Sequence, residues 1–436
     1  MEKIPHIYGK NRIVELSQSL DGFYQPDQLQ IPLPIWRTKG FEDSCFDSWR
    51  IIDGLLCDNA PVIPNQSIYI HIPYCSSKCG FCDCFSIEEK DQLTIDKYVQ
   101  ILIAEMKVWA RLKDIAKRHV TVVQFGGGSP SYLSDENLRA IFAELSNSFS
   151  VDSQTQIYME CNSVQLSEAK IRLLKSLGVT RISLGIQTME EPLRSIIGRV
   201  HSKNELITVI NRVLDSGITT AADIIYGLPN QTYAGYLASL EKLVEIGVQG
   251  ISLYPFVVSD KNQKFVHSVF PVYKKNGIED FISFLSGHLF LNDAKYQKNF
   301  FLHFAKPEDQ NLYYRHLLRS EDLIALGATA DGIVGFYRYR NHGLPNYIKY
   351  GKKGLFHEGG VWELNLPPQV KSASIELMCG KLNLPVYAEL SRYQISDKWL
   401  ASGLLNYSSE HEYALSATGS WFVNAMITEV NNHYLV

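Results

Sequence analysis

The chain has 436 residues, of which 45% are hydrophobic and 20% charged, and its formal net charge is −4. That balance is ordinary for a globular protein of two or three domains and argues against a polyanion such as nucleic acid as the main partner. No apolar run approaches the ~20 residues that cross a bilayer. The opening MEKIPHIYGKNR carries no apolar signal segment. A cytoplasmic protein that binds neither nucleic acid nor membrane is therefore expected.

Residues 1–66 read as an N-terminal extension whose run DGFYQPDQLQIPLPIWRTKGF resembles nothing assignable. From residue 67, short β-branched runs alternate with longer amphipathic stretches. The spacing predicts strands at 67–73, 120–125, 157–160, 181–187, 221–226 and 250–256. It predicts helices at 94–113, 135–146, 167–177, 203–215 and 233–246. Strands at intervals of this length with intervening helices argue for βαβ units and a parallel sheet. Six strands fall short of the eight in a closed barrel, so an α/β partial (β/α)6 barrel is expected over 67–257. Residues 258–370 should close its open side. Residues 371–436 read as helix, turn, short strand pair and helix, a winged-helix-like cap that is not basic.

Four cysteines fall directly after the first strand, in the run YCSSKCGFCDC from Tyr74 to Cys84. Cys75, Cys79 and Cys82 form Cys-x3-Cys-x2-Cys. Eight cysteines in the whole chain are too few for a disulfide-stapled secreted protein. Zinc also suits thiolates, but a structural zinc site usually shows two Cys pairs and no second pair exists. A cubic iron–sulfur cluster normally takes four thiolates. Three on one loop would leave one iron open to a small molecule. Cys84 is either a functional thiol or a small residue in a tight loop, and Cys45, Cys57, Cys161 and Cys379 are isolated packing residues.

Other polar residues collect at the same end of the predicted sheet. Gly126-Gly127-Gly128-Ser129 follows strand two, Glu160 ends strand three, Gln187 ends strand four and Tyr254 lies near the end of strand six. Parallel strands put these ends on one rim, where barrel enzymes build their sites. Asp223, inside strand five, joins them only if it points inward. Arg199 is either a surface charge or a guanidinium that pairs bidentately with a carboxylate. His303 and His342 are candidate substrate-side acids or bases as well as ordinary packing histidines.

The segments YIHIPYCSSKCGFCDCFS, QFGGGSPSYLS, YMECNS, RISLGIQTM, IIGRVHS and DIIYGLPNQT resemble the oxygen-independent coproporphyrinogen III oxidase-like (HemN-like) radical S-adenosylmethionine (SAM) superfamily. The resemblance is strong from about residue 68 to 229 and fainter through FFLHFAKPEDQ and DLIALGATADGIVG. It implies a [4Fe–4S] cluster on Cys75, Cys79 and Cys82 whose free iron binds SAM. Phe81 would lie near the adenine, and Gly127, Gly128 and Ser129 would contact SAM. Glu160, Gln187, Arg199 and Asp223 match polar SAM-binding positions. Tyr69 matches a tyrosine near a second SAM molecule, and Val257 and Asp331 match residues near the bound SAM molecules. Cys84 keeps an extra cysteine seen in the oxidase and usually lacking in the haem-chaperone branch; with Tyr69 it is the candidate catalytic pair.

The departures are Asp331, where the oxidase has an apolar residue, the Glu160-Cys161-Asn162-Ser163 motif in place of an Asp-Pro pair, and the missing N-terminal Arg-Tyr-Thr-Ser-Tyr-Pro stretch. They point to a class C-type transferase. Such an enzyme uses two SAM molecules to place a methyl or methylene carbon on an sp2 carbon of an aromatic, heteroaromatic or carrier-bound substrate, with flavodoxin or ferredoxin as electron donor. The alternatives are tetrapyrrole chemistry, either coproporphyrinogen decarboxylation or haem ring opening, and haem chaperoning.

Overall fold

In the computed structural model of the chain, residues 43–57, 64–316, 321–362 and 368–435 are described. Most of the N-terminal extension, residues 1–42 and 58–63, lies outside them. The described part of the extension supplies a short strand β1 (Asp43–Ser44) and helix α1 (Cys45–Cys57).

The barrel strands are β2 (Asn65–Ile72), β3 (His119–Gly127), β4 (Gln156–Cys161), β5 (Arg181–Gln187), β6 (Thr219–Tyr226) and β7 (Gly250–Pro255). They pair in chain order and all in parallel. The helices between them are α2 (Gln92–Trp109), α3 (Asp135–Ser148), α4 (Glu168–Ser176), α5 (Lys203–Asp215) and α6 (Tyr233–Ile246). Their starts are written in the sequence. Ser134, Ser167 and Thr232 each accept a bond from an orphan backbone N–H, and Ser202 with Glu205 forms a capping box before α5. Gly247 ends α6 in the left-handed region at φ +88°, a conformation that favours glycine.

All six expected strands are present. The parallel run has a seventh member that the spacing does not reveal. After helix α7 (Gly277–Asp293), the chain forms β8 (Gln297–Phe300) and β9 (His303–Ala305), and β9 lies antiparallel to β7. It then crosses to β10 (Asp322–Leu326), which pairs in parallel with β2 on the opposite edge. β11 (Asp331–Val334), β12 (Tyr337–Asn341) and β13 (His357–Trp362) extend that edge antiparallel, with β1 outermost. The crossing segment, described over residues 306–316 and at 321, thus links the two sides of the open sheet. The C-terminal region is helical, with a three-stranded antiparallel sheet of Lys381–Asn383, Glu412–Leu415 and Leu405–Ser409. Among the described residues, no helix is long and apolar enough to cross a membrane.

Burial along the strands marks the inner face. β2, β4 and β6 are fully buried apart from a few half-buried positions, which include Tyr69, Glu160 and Asp223. Gly185, Gln187 and Tyr254 are half-buried in the same way on β5 and β7. In a sheet covered on both faces such positions face an internal space. Registers level them: Tyr69, Gln124, Tyr158 and Arg181 are successive partners across four strands. Gly185, Asp223, Ser252 and His303 form a second row.

Candidate active site

The cysteine loop leaves β2 at Pro73. At its base Tyr74–Cys75 pairs with Ile87–Glu88, and Cys82 N–H donates to the Cys79 carbonyl at 3.1 Å. Cys75, Cys79 and Cys82 are half-buried free thiols. Among the described residues no three Cys, His, Asp or Glu side chains converge as ligands of one ion. A cluster binds each thiolate to a different iron, and these three free thiols on one loop could supply three of them.

The glycine triplet packs directly on this loop. Gly128 N–H donates to the Ile72 carbonyl at 2.7 Å and Ser129 N–H to that of Tyr74 at 2.9 Å. A side chain here has no room: a Cβ on Gly128 would stand 3.0 Å from Cys75 Sγ, and one on Gly127 2.7 Å from the His71 ring. Gly127 also has φ +109°, so the backbone itself forms the wall of the site. Ser129 is buried with its hydroxyl 3.3 Å from that of Ser131.

Opposite lies Arg199, whose guanidinium sits 5.2 Å from the centre of the Phe81 ring. Its buried Nε has no partner, and Gly198 beside it lies close to Cys79. Gly185 keeps the space between Gln187 Nε2 and Arg199 clear, since a Cβ would meet them at 2.9 and 3.0 Å. Gln187 adopts φ +70°, a region a non-glycine residue rarely enters. An unsatisfied guanidinium and a side-chain-free cradle beside three thiols fit a ligand with a carboxylate and an amine next to a cluster.

Deeper in, Glu160 accepts from Gly127 N–H at 3.3 Å and Gln124 Nε2 at 3.2 Å. Burial, and then the charge of Asp223, push its carboxyl up to about 7. Asp223 accepts from Ser183 Oγ at 3.1 Å. Burial raises its pKa too. Beneath them Arg181 donates to Asp309 at 2.7 and 3.0 Å. His303 Nε2 lies 2.8 Å from the same carboxylate and its Nδ1 2.9 Å from Ser252 Oγ. His303 is therefore part of the cavity floor. His342, beyond β12, packs at a tilt against Tyr350 and is not in this group.

Tyr69 reaches the cavity from β2. Its ring stacks on Tyr313 of the crossing segment at 5.9 Å, and Tyr314 follows. His71 Nε2 lies 3.2 Å from the Phe85 carbonyl and its Nδ1 3.0 Å from Tyr69 Oη. A carbonyl only accepts, so Nε2 carries the proton. Burial lowers the His71 pKa to about 4, so Nδ1 is bare and Tyr69 must donate to it. The phenol oxygen then offers lone pairs, not a proton, to the cavity. Cys84 is solvent-exposed, and the neighbouring Cys82 thiol, burial and the Glu160 charge raise its pKa.

Val257 lies just past β7, where its carbonyl accepts from Asn262. Asp331 starts β11 and accepts from Arg340 Nε at 2.7 Å. Sequence reasoning missed His71, Tyr313 and Tyr314. His71 had a signal, since alternation on β2 puts it on the face of Tyr69; the two tyrosines had none.

The profile described as "Radical SAM superfamily" matches residues 69–250. The heme chaperone HemW of Haemophilus influenzae is 29% identical over 279 residues, covering 63% of this chain and 72% of that protein. The oxygen-independent coproporphyrinogen III oxidase of Escherichia coli is 25% identical over 290 residues, covering 62% of this chain and 61% of that enzyme. The solved structure of coproporphyrinogen III oxidase (HemN) from Escherichia coli aligns with a TM-score of 0.77 at 20% identity, over 93% of this chain and 100% of that one. That last likeness shows the fold.

These findings overturn the expectation of carbon transfer to an aromatic substrate, because the relatives carry the names of a coproporphyrinogen oxidase and a haem chaperone. Asp331, which the resemblance places near the bound SAM molecules, forms an ion pair with Arg340 at 2.7 Å. The cysteine loop, the glycine wall and the inward-facing polar row all lie on one parallel rim within the segment that matches the radical SAM superfamily profile, and the fold around them resembles that of HemN.

Proposed function

We propose that this chain is a radical SAM enzyme whose substrate is a tetrapyrrole, and that its reaction is the oxidative decarboxylation of a coproporphyrinogen-type propionate. The feature that carries this reading is Cys84. It lies near enough to Tyr69 and Glu160 for their charges to interact, at the position where the oxidase-like sequences resemble this chain and the chaperone branch departs.

Cys75, Cys79 and Cys82 would hold a [4Fe–4S] cluster, which supplies the electron that cleaves SAM to a hydrogen-abstracting species. Arg199 would bind the SAM carboxylate, and Gly127 and Gly128 bring backbone within reach of it. Gln187, Glu160 and Asp223 face the same space and would hold the polar parts of the ligand. Tyr69, with its lone pairs turned inward, would serve a second SAM molecule. Tyr69, Tyr313, Tyr314 and Tyr254 give the cavity flat apolar walls that suit a conjugated or pyrrolic ring and exclude water from the reacting carbon. A flavodoxin- or ferredoxin-type donor would reduce the cluster, and a cytoplasmic setting suits free thiols.

Haem carriage is the second reading, favoured by the relatives named heme chaperone HemW. The test is anaerobic incubation of the reconstituted protein with SAM, reductant and either coproporphyrinogen III or haem. The enzyme reading expects 5′-deoxyadenosine together with loss of CO2 from the porphyrinogen. Stoichiometric haem binding without 5′-deoxyadenosine above the substrate-free level would replace it with the chaperone reading.

A further inference from the structure

The loop carrying the three cysteines has few bonds of its own between its base pair and residue 86. What pins it comes from some 180 residues away in sequence, in the turn and short helix that follow β7. Asn262 is 2% exposed. Its Nδ2 donates to the Phe81 carbonyl at 2.9 Å and to the Val257 carbonyl at 2.8 Å, while its Oδ1 accepts from Ser259 N–H at 2.9 Å. Both amide hydrogens and the carbonyl are thus in use. On the other side of Cys82, Lys261 Nζ donates to the Asp83 carbonyl at 2.7 Å and the Ser259 hydroxyl to the Asp83 carboxylate. The Phe265 ring, on the helix Gln263–Val269, covers Gly80 so closely that a Cβ there would stand 2.4 Å from it. Phe81 and Phe265 pack against a small apolar core of Leu193, Ile197, Ile225 and Phe256, separate from the main one.

We propose that residues 257–269 are a clamp that fixes the cysteine loop, with Asn262 as its positioning residue. The third cysteine is held between two pinned neighbours, Phe81 and Asp83, by a segment outside the cysteine motif. The clamp sets where Cys82 presents its sulfur and how far solvent reaches it. The segment starts directly after Phe256, which is buried in the same small apolar core. The proposal rests on the assignment of Cys75, Cys79 and Cys82 as cluster ligands.

The test reads the full-length protein in two ways. Hydrogen exchange of the cluster-free chain should speed up about tenfold in peptides covering 76–86 in Asn262→Ala, with no change across 381–415. Ser259→Ala, which loses only the Asp83 tie and its local bonds, should show a smaller increase at the same place. It carries the test if Asn262→Ala fails to fold. After anaerobic reconstitution Asn262→Ala should take up iron as the wild type does, since every ligand remains. The broad absorbance near roughly 400 nm should then bleach in air several times faster. Unchanged exchange at 76–86 in both variants, with unchanged bleaching, overturns the clamp. A wild-type protein that takes up no iron overturns the ligand assignment instead, and the exchange measurement still decides the clamp.

Discussion

Glu160 places an ionisable carboxyl where burial and Asp223 both oppose its charge, and replacing it with glutamine measures that opposition. Its pKa stands at about 7 against an ordinary 4.5. The difference, about 2.5 units, corresponds to about 3 kcal/mol at 1.36 kcal/mol per unit. The sign follows from linkage. A raised folded-state pKa means that the native state holds the proton more tightly than the unfolded chain. Stability is therefore unpenalised below pH 4.5, falls as pH rises from there through 7, and carries the full cost above.

Glu160→Gln keeps the shape and an acceptor for Gly127 N–H but cannot ionise. Relative to the wild type, the cluster-free variant should gain about 2 kcal/mol of stability between pH 5.5 and pH 8.5. Urea unfolding at the two pH values gives the number directly, provided the slopes agree. Ligand binding should run the other way. The ionised carboxylate attracts the positive charge of SAM, so wild-type affinity should rise through pH 7 and the variant's should stay flat. A stability difference independent of pH would refute the argument, because it would mean that Glu160 titrates as if it were in water.

Alanine at Cys75, Cys79 or Cys82 should each abolish the ~400 nm absorbance and most of the iron of the reconstituted protein, whereas Cys161→Ala, which removes a buried packing thiol, should leave both in place. Arg199→Ala should weaken SAM binding about ten- to a hundred-fold, the cost of losing a charge-assisted bond, with iron content unchanged; equal affinity by equilibrium dialysis would put the guanidinium outside the ligand site. Asp309→Ala leaves the buried Arg181 without its carboxylate and should cost about 3–5 kcal/mol in urea unfolding. A loss under 1 kcal/mol would mean that Arg181 finds water in the cavity floor.

The six parallel strands and the rim were legible because their information is local. β-branched runs end at polar residues, helix starts carry Ser or Thr caps, and parallel order turns chain position into spatial position. Glu160, Gln187 and Tyr254 could be placed near one rim from that logic, Asp223 only if it points inward and Tyr69 only by the resemblance; all five stand at half-buried positions. Asp331 could not, because its environment depends on Arg340, a cross-strand partner on β12 that no periodicity announces. The function expectation failed for another reason: the motifs it rested on are shared with relatives named as a coproporphyrinogen oxidase and a haem chaperone.

The wall opposite β2 was illegible for a different reason. Asp309, Tyr313, Tyr314 and Glu321 belong to a segment without strand or long-helix periodicity, and each owes its position to a distant partner. Asp309 binds Arg181 on β5, Tyr313 stacks on Tyr69 of β2, and Glu321 accepts from Ser67 Oγ at 2.8 Å and Thr121 Oγ1 at 2.7 Å. A partial barrel leaves a gap between its first and last strands, and a polar inner face cannot stay open there without admitting water. The segment fills that gap with residues chosen by the strands it meets, a carboxylate for each buried guanidinium or hydroxyl and a ring for each ring. The six strands bring the cysteine loop and the polar row to one rim, and the described residues of the crossing segment pack against their inner face. Chains alike in the first can therefore differ in the second, which is why motifs that specify the superfamily so well say little about the molecule it acts on.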